Sequence, residues 1–228
     1  MVDRQPQNPL ALSVKAARLG ALAVMVGIAV FAWPVARGYL DGRDAAPDLA
    51  TRADAVIAAG RGIDGLAPGQ WDILLSVEDP GFADHGGYDF DTAGGGITTL
   101  TQSLAKRTGF EDFQPGWAKL RQTGLAMGYE AGMTKDQIAA LWLDTVEMGR
   151  IGGEWRTGLW SAAEARFGRA PAALDRDEFL DLVGRMIAPA ALGDDPDALA
   201  ERTARIRRLL AGACAPEGNG DVWLEGCA

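Results

Sequence analysis

Residues 19–36 form the longest apolar segment of the chain, LGALAVMVGIAVFAWPVA, which carries no charge and is bracketed by Arg18 and Arg37. A helix of this length, rising about 1.5 Å per residue, comes close to crossing the hydrocarbon core of a bilayer. The segment therefore predicts one transmembrane helix, with the folded part of the chain on one side of the membrane. A cleaved signal peptide has a similar apolar core and remains the alternative, although no clear small-x-small cleavage site follows.

The charges around this segment indicate its orientation. Arg4, Lys15 and Arg18 lie on its N-terminal side, whereas the two arginines that follow it are accompanied by three aspartates. The positive-inside bias favours a cytoplasmic N-terminus and an external body. We divide the chain into a cytoplasmic segment (1–18), a transmembrane anchor (19–36), a linker (37–47), one domain (48–212) and a C-terminal tail (213–228).

The body shows helical spacing of apolar residues and no convincing strand alternation, which predicts a mostly α single globular domain. We expect residues 149–157 to form a loop. Gly124, Gly128 and Gly132 recur every four residues in one predicted helix. Since a glycine inside a helix costs about 0.5–1 kcal/mol, this spacing predicts close approach by a neighbouring backbone.

The charge balance excludes one class of partner. The formal net charge is −9, whereas a surface that binds a nucleic-acid backbone needs clustered Lys and Arg, so we expect no nucleic-acid partner. The last predicted helix does carry four arginines: Arg202, Arg205, Arg207 and Arg208. We interpret them as a solvated face, with contact to anionic lipid as the alternative.

Cys214 and Cys227 are the only cysteines of the chain. In an oxidising compartment they can close a short loop, worth about 3 kcal/mol in the chain-entropy model. Two free thiols in a reducing compartment are the alternative.

The stretch from Val77 to Lys106 concentrates chemistry that a plain structural segment does not need. It holds an acidic pair, Glu78 and Asp79, the only histidine, His85, six glycines and a Thr/Gln/Ser-rich run. Ordering glycines and burying hydroxyls cost free energy unless a ligand or a hydrogen-bond network requires them. We therefore predict that this stretch lines the reaction cleft.

These residues resemble the family 51 glycosyltransferases, the peptidoglycan polymerase domains found alone or in bifunctional penicillin-binding proteins. The fixed positions of the first family signature are all present: Glu78, Asp79, Phe82, His85, Gly87 and Asp89. The second signature is matched more loosely by Gly96, Thr99, Thr101, Gln102, Leu104, Ala105 and Lys106. The resemblance implies a lysozyme-like α fold in the bacterial inner membrane, with a periplasmic catalytic domain. It also implies polymerisation of lipid II into glycan strands with release of undecaprenyl pyrophosphate.

The resemblance also implies roles for individual residues. Glu78 would be the base that removes a proton from the acceptor's 4-hydroxyl, and Asp79 and His85 would order its loop. The substrate-binding set would add Phe82, Thr99, Thr101, Gln102, Lys106, Lys119 and Arg121, the three cations holding the pyrophosphate. For the threonines and Gln102 the alternative is a helix cap, and for the cations other than Lys106 it is solvated surface charge.

Two departures from the family pattern affect the donor half of this site. Gln122 stands where the family has its second catalytic glutamate, and Ala140 replaces another glutamate. The one candidate cofactor is a divalent cation, Mg or Mn, at the pyrophosphate. An amide at position 122 cannot supply the negative charge that would hold it there. Glu130 is displaced from Gln122 by roughly 12 Å along a helix and is not expected to replace it.

Three functional hypotheses follow. The first is a membrane-anchored peptidoglycan glycosyltransferase, with lipid II, nascent glycan and cell-wall synthesis proteins as partners. The second is a catalytically impaired relative that binds lipid II or glycan, or partners an active cell-wall polymerase. The third is a lysozyme-like enzyme that cleaves glycan with one acidic residue.

Overall fold

The computed structural model describes the backbone of residues 9–228 and the side chains from residue 18 onward. Its first helix, α1, runs without interruption from Pro9 to Ala58. It contains an 18-residue window of mean hydropathy 2.2 and is therefore long and apolar enough to cross a membrane. None of this window is buried against the rest of the protein. Of the predicted cytoplasmic segment (1–18), the first eight residues lie outside the described part of the chain.

The predicted linker at residues 37–47 is wrong, because this segment is helical and belongs to α1. The helix continues because this part of it packs against a second helix, α4 (Trp117–Gly132). A Cβ added to Gly128 would lie 2.5 Å from the Tyr39 carbonyl oxygen, and one added to Gly132 would lie 2.5 Å from Ala46 Cβ. The predicted close approach at the α4 glycines is thus confirmed, and the neighbouring backbone is that of α1.

The remaining elements are mostly helical, which confirms the mostly α single domain. Capping boxes begin three of them, at Thr99, Thr134 and Asp175. Besides α1 and α4, the helices are α2 (Gln70–Glu78), α3 (Leu100–Gly109), α5 (Lys135–Thr145), α6 (Leu159–Phe167), α7 (Arg176–Arg185), α8 (Pro189–Asp194) and α9 (Pro196–Leu210). Short 3₁₀ turns lie at Ile63–Gly65, Pro171–Ala173 and Glu225–Cys227.

One small sheet departs from the prediction of a loop at residues 149–157. Strands β1 (Glu147–Ile151) and β2 (Glu154–Thr157) pair antiparallel as a hairpin. Gly152 and Gly153 connect them with φ of 65° and 86°, as a two-residue turn with positive φ at both positions requires. The strands are too short to show a clear polar and apolar alternation, which is why the sequence pattern did not reveal them.

The hydrophobic core is centred on α5, which is buried along most of its length from Ile138 to Leu143. Leu104 of α3, Leu159 of α6 and Phe179 of α7 are fully buried in the same cluster. This packing holds the C-terminus of α2 and the N-terminus of α3 against a common core. The polar stretch that joins these two helices is thereby held at a defined place on the domain.

The C-terminal tail is folded against α9. Cys214 and Cys227 are joined by a disulfide. Arg205 donates a hydrogen bond to the Trp223 carbonyl oxygen (3.3 Å), and Arg208 donates one to the Cys227 carbonyl oxygen (2.5 Å). The predicted solvated arginine face is therefore wrong in part, because the tail packs against it.

Candidate active site

A cavity of about 310 Å³ lies between the C-terminus of α2, the start of α3 and the middle of α9. Glu78 and Arg202 both line it, together with Trp142 of α5 and Val222 of the C-terminal tail. The remaining wall consists of Val77, residues 94–100, Ser103, Met186 and Ile187. The predicted reaction stretch therefore does border a cavity, although other parts of the chain complete it.

Glu78 is the last residue of α2, so a rigid helix presents its carboxyl group to the cavity. Burial in the wall raises the pKa of Glu78 from 4.5 to about 7, although the positive charge of Arg202 opposes the rise and Asp79 adds to it. A carboxyl group with a pKa near the working pH is well suited to accept a proton, because both protonation states are accessible.

Arg202 is only 3% exposed. Its Nε and Nη1 have no hydrogen-bond partner among the described residues, and the same holds for Trp142 Nε1. Burial lowers the pKa of Arg202, while the nearby charge of Glu78 raises it. Unpaired buried donors are costly in a folded protein, so their presence in one cavity wall indicates a place for an acceptor-rich ligand.

Asp79 lies directly behind Glu78 and is almost fully buried. Its carboxylate accepts hydrogen bonds from the Leu100 backbone N–H (2.8 Å) and from His85 Nε2 (3.0 Å). Nδ1 of His85 in turn accepts a hydrogen bond from the Gly87 backbone N–H (3.1 Å). Asp79 and His85 thus tie the end of α2 to the start of α3, a position suited to ordering the loop between them.

Phe82 is buried and does not line the cavity. Its ring meets His85 edge to face, with centroids 6.0 Å apart. Lys135 Nζ lies 4.5 Å from the Phe82 ring centroid and 2.9 Å from a carboxylate oxygen of Glu130. Phe82 therefore packs against the loop between α2 and α3 and is not placed to contact a substrate in the cavity.

Two lysines lie near the rim of the cavity. Lys119 Nζ donates a hydrogen bond to Thr98 Oγ1 (2.7 Å), and Thr98 lines the cavity. Partial burial and the positive charge of Lys106 both lower the pKa of Lys119, which indicates that the two lysines are close together. Lys106 is exposed, with Nζ 5.2 Å from the Phe113 ring centroid. The pair provides positive charge beside the rim.

Among the threonines of the predicted set, the structure places only Thr99 in the cavity wall. It caps α3 and donates a hydrogen bond to the Gly87 carbonyl oxygen (3.1 Å). Thr101 is fully buried and donates to a carboxylate oxygen of Glu130 (2.5 Å). Glu130 is thus engaged with Thr101 and Lys135, as well as lying outside the set of residues that line the cavity.

Gln102 and Gln122 are buried between α3 and α4 and do not line the cavity. Gln122 Nε2 donates to the Gln102 carbonyl oxygen (2.6 Å), and the Gln102 side chain donates to Thr123 Oγ1 (2.8 Å). Their amides thus form hydrogen bonds within the protein. The rotation of α4 about its axis places position 122 towards α3.

The prediction of Arg121 as a pyrophosphate ligand does not agree with its contacts. Arg121 pairs with Asp41 of α1 (3.0 Å) and donates to the Gly109 carbonyl oxygen (3.2 Å). Its guanidinium also lies over the Phe110 ring, 5.0 Å from the centroid. Arg121 therefore helps to attach α4 to α1.

Sequence reasoning did not include Arg202, Trp142 or Val222 among the site residues. Arg202 was predicted only as part of a solvated arginine face. The C-terminal tail was recognised through its cysteines alone. All three enter the cavity through long-range packing.

The residues near Gln122 do not fit a divalent cation. The amide supplies no negative charge, and its Nε2 donates to the Gln102 carbonyl oxygen, so Gln122 offers a cation only one neutral oxygen, Oε1. Among the side chains described, those of residues 18–228, no group of three or more His, Cys, Asp or Glu could hold a metal.

Comparison with known proteins agrees with these observations. The family model described as Transglycosylase matches residues 61–211. The chain is 29% identical over 168 residues to the biosynthetic peptidoglycan transglycosylase of Neisseria meningitidis serogroup C (strain 053442), covering 65% of this chain and 68% of that protein.

Two longer proteins also match. Penicillin-binding protein 1B of Escherichia coli (strain K12) is 29% identical over 155 residues, and that of Vibrio cholerae is 32% identical over 152 residues. Each match covers 61% of this chain but only 18% and 19% of the respective relative. Because the family model covers most of the domain, including Glu78 and Arg202, the chain belongs to the transglycosylase family.

Proposed function

We propose that this chain is a membrane-anchored peptidoglycan glycosyltransferase that polymerises lipid II into glycan strands and releases undecaprenyl pyrophosphate. The observation that carries the proposal is the pairing, in one cavity, of a glutamate whose pKa is about 7 with a buried arginine that has unpaired N–H groups. A base and a positive charge are the two groups that this transfer requires.

In the proposed reaction the Glu78 carboxylate accepts the proton of the acceptor's 4-hydroxyl. The hydroxyl oxygen attacks the anomeric carbon of the donor, the bond between that carbon and the pyrophosphate oxygen breaks, and its electron pair leaves with the pyrophosphate. The anomeric configuration inverts. Glu78 is then neutral and must release its proton before the next cycle.

The departing pyrophosphate gains negative charge, which nearby cations stabilise. Arg202 offers N–H donors from inside the cavity wall, and Lys119 and Lys106 add positive charge near Thr98 at the rim. We assign no step to a divalent cation, because the neutral amide of Gln122 does not provide a metal ligand of the kind that the family resemblance implied.

The anchor hypothesis is supported by the exposed surface of α1. Phe31 and Trp33 are 60% and 69% exposed, as expected for side chains that face lipid and its interface. Phe31 stacks on Trp117, the first residue of α4, with ring centroids 5.1 Å apart. The apolar segment and the domain are therefore in direct contact, which would let a lipid-linked substrate reach the domain from the bilayer.

We propose a periplasmic domain attached to the bacterial inner membrane. The disulfide between Cys214 and Cys227 supports this orientation, because such bonds persist in oxidising compartments. Nascent glycan is the proposed second substrate, and cell-wall synthesis proteins are proposed partners.

The test is polymerisation of lipid II by the full chain in detergent or vesicles, beside Glu78→Gln and a control, Glu164→Gln, at an exposed glutamate. We expect glycan strands from the parent and the control, and loss of product in Glu78→Gln. Because Glu78 must be ionised, the parent's rate should rise with pH and reach half its maximum near pH 7. Unchanged polymerisation by Glu78→Gln would overturn the assignment of the base.

The second candidate is a relative that binds lipid II or glycan without polymerising it. The amide at Gln122 and Ala140 favour it, because two carboxylates of the family pattern are absent. Retained lipid II binding with no product from the parent would establish this reading. Release of soluble muropeptides from glycan would instead indicate the third hypothesis, a glycan-cleaving enzyme.

A further inference from the structure

The C-terminal tail contacts α9 and also forms part of the cavity wall. We call residues 214–227 the tail loop and residues 92–99 the glycine loop. Two backbone hydrogen bonds join the loops: the Gly94 N–H donates to the Gly218 carbonyl oxygen (2.9 Å), and the Gly96 N–H donates to the Asn219 carbonyl oxygen (2.8 Å). The disulfide closes the tail loop around these contacts.

The side chain of Asn219 strengthens this junction. Its Nδ2 donates to the Thr92 carbonyl oxygen (3.0 Å) and to the Gly96 carbonyl oxygen (3.1 Å). One amide group thus spans the glycine loop from its first residue to its middle. Glycine loops are otherwise expensive to order, because glycine loses more backbone freedom on folding than other residues.

The contact between the two loops is also close. A Cβ added to Gly96 would lie 2.6 Å from Val222 Cγ1, and one added to Gly94 would lie 2.9 Å from Pro216 Cγ. Both glycines also have positive φ, 76° at Gly94 and 68° at Gly96. The glycine loop therefore needs glycine both for its backbone conformation and for its contact with the tail loop.

The tail loop is itself held in shape by Asp221. Its carboxylate accepts hydrogen bonds from the backbone N–H groups of Glu217 (3.0 Å), Gly226 (3.0 Å) and Glu225 (2.6 Å). With the disulfide, these bonds make the tail loop a preorganised support. Asp221 also acts electrostatically on Arg202, so the tail loop influences two parts of the cavity wall.

We propose that the tail loop is a positioning element of the active site, and that Asn219 is the positioning residue through which it holds the glycine loop opposite Glu78. Gly94 to Thr99 line the cavity together with Glu78, and Val222 of the tail loop completes the wall beside them. Releasing the glycine loop would widen the cavity and misplace a substrate relative to the base. This inference rests on the proposed function, because it concerns lipid II in the same cavity.

The test compares the full-length parent with Asn219→Asp, which keeps the size of the side chain but replaces both N–H donors by a carboxylate that faces two carbonyl oxygens. The matched control is Glu225→Gln, an exposed side chain of the same tail loop. Amide hydrogen exchange is measured across the chain, together with the lipid II dissociation constant, KM and kcat.

In Asn219→Asp we expect exchange to become about tenfold faster in residues 92–99, as for the loss of one or two hydrogen bonds, with exchange in α5 unchanged. Lipid II binding should weaken and KM should rise by about tenfold, more than kcat falls, because the substrate is bound in a looser wall. Opening the tail loop by Cys214→Ser with Cys227→Ser should move the same measurements in the same direction. The control should match the parent.

Two results would overturn the inference. One is unchanged exchange in the glycine loop of both variants, which would show that the tail loop does not hold it. The other is a loosened glycine loop with unchanged lipid II binding and kinetics, which would leave the tail loop a purely structural role. If the parent binds lipid II without polymerising it, the proposed function fails, while exchange and binding still decide this inference.

Discussion

Glu78→Gln should stabilise the folded protein at alkaline pH while removing its activity. Glutamine has the shape of the protonated glutamate, so the substitution tests what ionisation of this partly buried group costs. The pKa of Glu78 is raised from 4.5 to about 7, chiefly by burial and in spite of the attraction of Arg202. The pKa of about 7 therefore already includes the attraction between Glu78 and Arg202.

The magnitude follows from linkage between protonation and folding. Below pH 4.5 Glu78 is protonated in both the folded and the unfolded chain, so the substitution should change the unfolding free energy little. Between pH 4.5 and about 7 the unfolded chain loses the proton while the folded chain keeps it, which favours unfolding. Above pH 7 the penalty is complete and, at about 1.36 kcal/mol per pKa unit, reaches about 3 kcal/mol.

The assay is denaturant unfolding of the parent and Glu78→Gln in the same detergent at pH 4.5, 6 and 8. We expect the variant's advantage to grow from near zero to as much as about 3 kcal/mol over this range. Glu164→Gln, at an exposed position, should stay within about 0.5 kcal/mol of the parent throughout. An advantage that does not depend on pH, or a variant less stable than the parent at pH 8, would refute the reasoning that burial controls this carboxyl group.

Two further predictions concern α4. Gln122→Glu should lower the unfolding free energy by about 2–3 kcal/mol at pH 8, because its Nε2 donor to the Gln102 carbonyl oxygen is replaced by a buried carboxylate, and it should not increase polymerisation. Faster polymerisation by this variant would contradict the placement of position 122 away from the cavity. Gly128→Ala should lower the unfolding free energy by about 1–2 kcal/mol, because the Cβ of the alanine would meet the Tyr39 backbone of α1. The melting temperature should fall accordingly. Gly27→Ala, which has open space around it, should show no such loss, and equal effects of the two would argue against the α1–α4 contact.

Several features of this protein were determined by local sequence. The apolar run at residues 19–36 predicted the membrane-length helix. The spacing of Gly124, Gly128 and Gly132 predicted close packing. The pattern of residue types that predicts each of these features lies within a short stretch of the chain, so it is visible in the sequence. The partner of the glycines, α1, is distant in sequence and was not predicted.

The tertiary structure alone decided which side chains share the cavity. The direction in which a helix faces is set by packing against partners distant in sequence, so Gln122 turns towards α3 and Arg121 towards Asp41 of α1. The same long-range packing places Arg202 opposite Glu78, where the sequence pattern suggested a solvated arginine face. A family signature can mark Glu78 as the candidate base, but the charges and walls around this residue depend on how the helices and the disulfide-closed tail pack together.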